Sequence, residues 1–506
     1  MVGSLTMDMF DNLITGFAAA ATLQNIGFAM IGCLLGTLIG VLPGIGPIPT
    51  IAMLLPITFG LDPLSSLIML AGIYYGAQYG GSTTSILVNM PGEASSVVTC
   101  MDGYQMARQG RAGVALGVAA LGSFFAGCVG TVFIAAFGPP LSSLAQQFNS
   151  PDYFSLMALG LLMAVVLAHG SVIKAVAMVL VGLLFGLVGT DVNSGALRYT
   201  FGVSELWDGI DFLPLVIGMF GVVEIVRNLE QPDLARTAVA TRMRDLWPTG
   251  KDFASVWRPV LRGTGLGALL GVLPGGGAVL ASFASYTMEK KVAKDPTRFG
   301  RGAIEGVAGP EAANNAAAQT SFIPLLTLGL PSNPIMALMM GAMMIQGIQP
   351  GAAVMTSRPD LFWGMVASMW IGNLMLVVIN LPMIGLWVRL LSVPYRLLYP
   401  AILMFCIIGV YGTSGSWVML ALTAFFALFG YILTRFGCEP APMILGFLLG
   451  PLMEENLRRS LVLSRGDPMI FLERPISATL LGLCVLMVLV IVLPSVRRSR
   501  EAAFQE

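Results

Sequence analysis

No lysine or arginine precedes Arg108, and the stretches 23–60 and 64–90 carry no charged residue at all. A helix that crosses a bilayer needs about 20 predominantly apolar residues. Comparable apolar stretches follow near 112–140, 153–169, 171–189, 210–226, 259–288, 318–346, 362–388, 397–413, 416–434, 440–457 and 475–494. Over all 506 residues only 11% are charged, against about 25% in an ordinary soluble domain. Mean hydropathy is +0.82. A soluble enzyme needs more polar surface than this. A net charge of zero offers no basic field to a nucleic acid. An outer-membrane barrel would alternate in short segments instead of running apolar over such lengths. The expected fold is an all-α polytopic membrane protein with about 11–12 transmembrane spans.

Sixty glycines and 30 prolines are more breakers than lipid-facing helices need. Broken backbone at membrane depth is tolerated only inside protein or beside a cavity. The breakers repeat. GTLIGVLPGIG begins at Gly36 and GALLGVLPGGG begins at Gly267, with eight of eleven positions identical. Pro43 and Pro274 each remove a backbone donor. Gly44 and Gly46, like Gly275, Gly276 and Gly277, let the chain reverse direction. A second pair follows: TTSILVNMPG ends at Gly92 and QTSFIPLLTLGLPSN at Asn333, so that Pro91 corresponds to Pro331 with a few residues inserted in the second copy.

Polar side chains gather at these breaks. Ser82, Thr83, Thr84 and Ser85 are four successive hydroxyls, closing at Asn89, Pro91 and Gly92. In the other half Asn314, Asn315, Gln319, Thr320 and Ser321 precede Pro331, Ser332 and Asn333. Their oxygens suit a small hard cation and their donors suit a carboxylate. Exposed carbonyls and half-helix N-termini at the glycine turns add to both. The competing reading is local: helix kinks, and Ser/Thr hydroxyls that bond their own backbone.

Positive charge orients the chain. Arg108 and Arg111, the segment 227–262, Lys290 to Arg301, Arg389, Arg396, Arg435 and Arg497 to Arg500 should face the cytoplasm. That places 23–60 as a re-entrant hairpin entered from outside and 259–288 as one entered from inside. The N-terminus is then outside and the C-terminus inside. The misfit is 458–474, left outside with Arg458, Arg459, Arg465 and Arg474. The expected organisation is a first membrane repeat over 1–226, a cytoplasmic linker over 227–258, a second repeat over 259–457, and an extra helix with a tail over 458–506. Repeats of inverted topology, with a binding site near the midplane between them, are a common plan of secondary transporters.

Acids are sparse within the spans, and Glu305 and Glu311 lie in the polar lead-in to one. Proton relays in membranes usually use buried Asp, Glu or His. The single histidine, His169, reads as a span-end residue, so coupling to sodium is favoured over protons. The six cysteines form no CxxC pair and read as packing residues. The N-terminus lacks the basic region of a cleavable signal. The segment 190–212 is either a docking surface for another protein or a solvated loop.

The motifs GVLPGIGP (40–47), YGGSTTSILVNMPGE (79–93), DGYQMARQGRAG (102–113), GVLPGGG (271–277), FGRGAIEGVAGPEAANNA (299–316) and LGLPSNP (328–334) together resemble the large membrane subunit of tripartite tricarboxylate transporters. The resemblance implies a bacterial inner-membrane importer of carboxylates, such as citrate or a related acid. A periplasmic solute-binding protein would deliver the substrate, a small membrane subunit would accompany the chain, and an ion gradient would drive it. No G-x-x-x-x-G-K-[ST] phosphate loop is present. No resident cofactor is expected beyond the coupling cation. Alternating access is the expected mechanism, with an elevator-like motion as one form of it. The alternatives are a carboxylate or ion channel and, more remotely, an intramembrane enzyme, for which one histidine cannot supply a metalloprotease site.

Overall fold

The computed structural model describes residues 2–42, 46–168, 171–191, 194–230, 243–273, 277–390 and 395–492. In the first half, α1 (Val2–Ala20), α2 (Leu23–Val41), α3 (Pro47–Thr58), α4 (Pro63–Val88), α5 (Val97–Met106), α6 (Ala112–Ala145), α7 (Ser150–Leu167) and α8 (Val172–Gly186) follow one another. A two-residue antiparallel pair, β1 (Gly189–Thr190) and β2 (Leu197–Arg198), leads to α9 (Phe212–Val216), which runs on through a π-helical turn into α10 (Val223–Glu230). The second half holds α11 (Gly250–Gly271), α12 (Gly277–Val292), α13 (Glu305–Thr320), α14 (Phe322–Leu328), α15 (Pro334–Ile345), α16 (Ala353–Ser357) and α17 (Pro359–Asn380). It closes with α18 (Ile384–Leu390), α19 (Tyr395–Ser414), α20 (Trp417–Arg435), α21 (Pro440–Leu463), α22 (Ile470–Glu473) and α23 (Pro475–Val492). This is an all-α polytopic membrane fold. Among the described residues, Leu23–Val41, Ala94–Ala145, Phe212–Glu230, Pro359–Asn380 and Trp417–Arg435 are long and apolar enough to cross a membrane, and shorter apolar helices stand beside them.

Local chemistry sets the boundaries. The Thr22 hydroxyl caps α2 by accepting from the Asn25 amide, and Asp62 caps α4 with Pro63 in its first turn. A Thr249–Asp252 capping box starts α11 at Gly250, inside the polar segment and upstream of the apolar run at 259. Helix α1 lies outside every apolar stretch marked by hydropathy. It is held by packing: Gly16 lies against the Trp363 carbonyl of α17, and Phe17 stacks on Trp370 at 5.7 Å.

The internal repeat is visible in how helices touch. Gly32, Gly36 and Gly40 of α2 lie directly on the carbonyls of Met69, Ile73 and Ala77 in α4. Gly263, Gly267 and Gly271 of α11 lie on the carbonyls of Gly309, Ala313 and Ala317 in α13. The two ladders match rung for rung, but the second copy has more chain between each glycine and its partner. The register that pairs Ile73 with Ala313 also pairs Pro91 with Pro331. The extra residues of the second copy therefore fall between the glycine turn and α13, not at the break after it. Small residues at four-residue spacing bring two backbones into contact, which is a favourable way to pack helices without water.

Helices α2 and α3 lie along α4 as a hairpin. The Ser65 hydroxyl donates to Asn25 Oδ1 at 2.6 Å and that of Ser66 to the Thr58 carbonyl at 3.1 Å, so both open ends of α2–α3 meet the start of α4. Its tip meets the other end of α4, where Thr84 Oγ1 donates to the Val41 carbonyl at 2.8 Å.

Charged contacts tie together distant loops. Arg111 pairs with Asp252 at 2.5 Å, Arg435 with Glu230, and Lys174 donates to the Phe436 carbonyl at 2.5 Å. Elsewhere Arg474 pairs with buried Asp152 at 2.7 Å, Arg458 with Asp191 at 3.1 Å, and Arg198 with Glu454 at 2.9 Å. Of the four misfits of the charge pattern, Arg458, Arg459 and Arg474 each have a carboxylate partner, Arg459 through Glu455.

The ladder makes a direct prediction. A Cβ at Gly36 or Gly267 would overlap a neighbouring carbonyl, whereas one at Gly27 or Gly265 of the same helices meets nothing within 4 Å. Gly36→Ala and Gly267→Ala should each destabilise by about 1–3 kcal/mol through overpacking. Gly27→Ala and Gly265→Ala should be neutral or stabilising by about 0.5–1 kcal/mol through helix propensity. Thermal unfolding of the detergent-purified variants separates the two pairs.

Candidate functional site

Two breaks recur in each half with matching backbone. Gly46 (φ 65°) and Gly277 (φ 40°), equivalent in the repeat, lead into α3 and α12 in the left-handed region that favours glycine. Asn89 (φ 59°) and Gly329 (φ 69°), also equivalent, end α4 and α14 in the same region. Four residues further on, Glu93 (φ −151°, ψ 166°) and Asn333 (φ −156°, ψ 171°) share an extended conformation and begin the next helical turn. Asn333 Oδ1 accepts from the Met336 amide at 2.9 Å as a helix cap. Pro43, Gly44, Pro274, Gly275 and Gly276, at the hairpin tips, lie outside the described residues, as does His169.

Between the breaks lies a polar network that joins the halves. The Ser82 hydroxyl of α4 reaches Glu311 Oε2 of α13 at 2.6 Å, and the Thr99 hydroxyl of α5 bonds Glu311 Oε1. Ser95 bonds Glu93 Oε1 and lies 3.1 Å from Gln78 Oε1. Asn314 Nδ2 donates to Glu93 Oε1 at 3.2 Å. Asn315 Nδ2 donates to Ser123 of α6 at 2.7 Å. Tyr74 stands beside this group, with its hydroxyl near Gln78, Ser321 and Asn333 and the Glu93 carboxylate within electrostatic reach. A narrow cleft lined by Tyr79, Ser123, Asn380 and Ile384 opens onto Ser82 and Thr83.

The sequence-selected residues divide into those the network uses and those it does not. Ser82, Asn314 and Asn315 are in it. Asn333 faces Gly277, and the Ser332 hydroxyl donates to the Ser321 carbonyl at 3.1 Å, so the second-half turns converge. Thr83, Thr320 and Ser321 bond their own helices, at Tyr79, Ala316 and Ala318. Thr84 satisfies the end of α2. Ser85 Oγ, Asn333 Nδ2, Asn314 Oδ1 and Gln319 Oε1 are buried without a partner. Asn89 and Pro91 are exposed, whereas Pro331 is buried; Gly92 sits tightly on Gly40 and Gly81. In the register that pairs Asn89 with Gly329, the hydroxyl run 82–85 faces Phe322 to Leu325, so it has no counterpart.

Sequence reasoning misses Gln78, Glu93, Ser95 and Thr99 as members of one cluster with Glu311. The signal for Glu93 is its place at the close of the PGE turn, in a region where charge is otherwise scarce.

A family model described as "Tripartite tricarboxylate transporter TctA family" matches residues 26–445. The chain belongs to that family. It is thus a multi-pass membrane subunit of a tripartite transport system. A protein of Agrobacterium vitis, described as an uncharacterized 52.8 kDa protein in the TAR-I ttuC' 3' region, is 58% identical over 500 residues, covering 99% of each chain. A second from Agrobacterium vitis, an uncharacterized protein in the TAR-II ttuC' 3' region, is 60% identical over 240 residues, covering 47% of this chain and 99% of the relative. No solved structure matches.

The equivalence of Asn89 and Gly329 is testable by exchange. Asparagine tolerates the left-handed region and β-branched residues do not. Asn89→Gly should leave thermal stability nearly unchanged, while Asn89→Val should lose about 1–2 kcal/mol in the same melting measurement.

Proposed function

We propose that this chain carries a carboxylate, such as a tricarboxylate or a related organic acid, across the bacterial inner membrane by alternating access. The cation gradient that drives it is taken to be sodium. The observation that carries the reading is the pair of matched breaks in each half, which face one shared polar network. Half-helix ends and unpartnered amides at such breaks are what an anion site near the midplane requires. The breaks would supply substrate contacts through Gly46, Gly92, Gly277, Pro331, Ser332 and Asn333, with Ser82 to Ser85, Asn314 and Asn315 beside them. The undescribed tips, Pro43, Gly44, Pro274, Gly275 and Gly276, belong to the same proposal.

The proposed topology has the N-terminus in the periplasm, the C-terminus in the cytoplasm and the two hairpins inserted from opposite sides. The charged contacts support it. Arg111–Asp252, Arg435–Glu230 and Lys174–Phe436 join only segments assigned inside, while Arg474–Asp152, Arg458–Asp191 and Arg198–Glu454 join only segments assigned outside. A periplasmic binding protein would deliver substrate and a small membrane subunit would complete the system. An elevator-like motion of the hairpins against the remaining helices fits their compact packing.

Uptake of labelled carboxylates into proteoliposomes that hold the chain with its small subunit and binding protein tests this reading. Saturable uptake that collapses without the sodium gradient is expected. Asn89→Ala, Ser332→Ala and Asn333→Ala should each slow uptake by about tenfold or more, the scale of one lost hydrogen bond to a charged ligand. Normal uptake by all three, at equal protein, sinks the site assignment. Ohmic flux with no saturation would make the chain a channel.

A further inference from the structure

Among the described residues, buried acids are held by arginine or by backbone amides, with one exception. Among the described residues five are buried: Asp102, Asp152, Asp191, Glu289 and Glu311. Asp152 has Arg474, Asp191 has Arg458 and Arg198, and Glu289 has Arg262. Asp102 accepts from two backbone amides, Gly302 and Ala303, each at 2.8 Å, and from the Tyr286 hydroxyl at 2.9 Å. Glu311 has only two hydroxyls, those of Ser82 and Thr99. Half-buried Glu93, joined to the same helix through Asn314, has the Ser95 hydroxyl, the Asn314 amide and the Ser96 backbone amide of a capping box, all neutral. Among the described residues no lysine, arginine or histidine pairs with either. An ionised carboxylate removed from water without a counter-charge is strongly unfavourable, so such a group takes up either a proton or a cation.

A second observation points the same way. Asn314 is 1% exposed, and its Nδ2 bonds Glu93 while its Oδ1 has no partner. An amide oxygen that lacks any donor, set beside carboxylates that lack any cation, is a ligand without its ion. Each Glu311 oxygen lies within hydrogen-bond distance of one hydroxyl, and the Ser82 hydroxyl also reaches the Gln78 carbonyl at 2.9 Å. All the donors here are hard oxygens, the set that alkali and alkaline-earth ions prefer.

We propose that Glu93, Glu311 and Asn314 Oδ1 form the sodium site of this transporter, at the seam between its two halves. The inference rests on the ion-driven reading above and assigns that ion a place. It also fixes an order. Two uncompensated carboxylates repel an incoming carboxylate substrate, so sodium binds first and the substrate anion second.

Thermal unfolding of the full chain in detergent, in NaCl against KCl at equal ionic strength and without substrate, reads the site directly. A ligand that binds only the folded state raises the melting temperature, and the gain grows with the logarithm of one plus its concentration over Kd. Sodium should stabilise the native chain. Glu311→Gln, Glu93→Gln and Asn314→Ala should abolish the sodium-specific shift or raise the sodium concentration needed for a given shift roughly tenfold or more. Glu455→Gln, on the remote surface, should keep it. Cooperative melting in KCl shows which variants are folded, and those alone are compared. A sodium shift unchanged in the folded variants overturns the proposal. So does a native chain that melts identically in both salts. If that chain still imports carboxylate in proteoliposomes, the sodium site fails and the importer stands. If the shift is present and lost as expected but no carboxylate enters, the site stands and the importer fails.

Discussion

The close approach of α2 to α4, and of α11 to α13, is the constraint from which the rest of the arrangement follows. Apolar side chains gain little from one another in a membrane, because lipid is an equally good neighbour. Glycine at four-residue spacing removes the side chain from the contact and lets backbone meet backbone. Once Gly36 rests on Ile73 and Gly40 on Ala77, the tip of the α2–α3 hairpin can only lie beside the last turns of α4. Thr84 then reaches the Val41 carbonyl, and Gly92 folds back onto Gly40. The second half repeats this, bringing Gly271 to Thr320 and Gly277 to Asn333. The depth of each break is therefore fixed by a packing register.

A second constraint acts where the halves meet. Charge is expensive at depth, and most buried acids of this chain are held by arginine or by backbone amides. The cluster of Glu311 and Glu93 departs from that rule with neutral partners drawn from α4, α5 and α13. A buried network of this kind specifies one arrangement only when its members are satisfied. Asn314 and Gln319 each keep a buried amide oxygen without a partner in the chain.

Much of the fold is legible in sequence because its signals are local. Apolar runs mark most helices, and the repeated LPG turns mark the breaks, since proline and glycine act on their own backbone. The helix starts at Thr22, Asp62 and Thr249 follow from capping residues. What is hidden depends on partners far away in the chain. Helix α1 gains its place from α17. Arg458 and Arg474 violate the charge rule until Asp191 and Asp152 supply their counter-charges. The role of Glu311 is the clearest case. As a lone acid in a polar lead-in it could equally face solvent, and only the meeting of α13 with Ser82 and Thr99 makes it buried. The hydroxyl run looks like one feature in sequence, yet its four members separate, because successive residues of a helix point in different directions.

The repeat preserves backbone and discards side chains. Asn89 matches Gly329 in conformation, and Glu93 matches Asn333, but the groups they present differ. The first half brings hydroxyls and the Glu93 carboxylate from 78–99, and the second brings the Glu311 carboxylate and amides from 311–333. In the same register Asn314 and Asn315 fall on Tyr74 and Tyr75, and Ser82 falls on Phe322. Neither half alone contains both a full set of oxygen ligands and a set of donors for an anion. A site assembled in this way exists only while the halves are in register. Any displacement between the helices that contribute to it would change its ligand set.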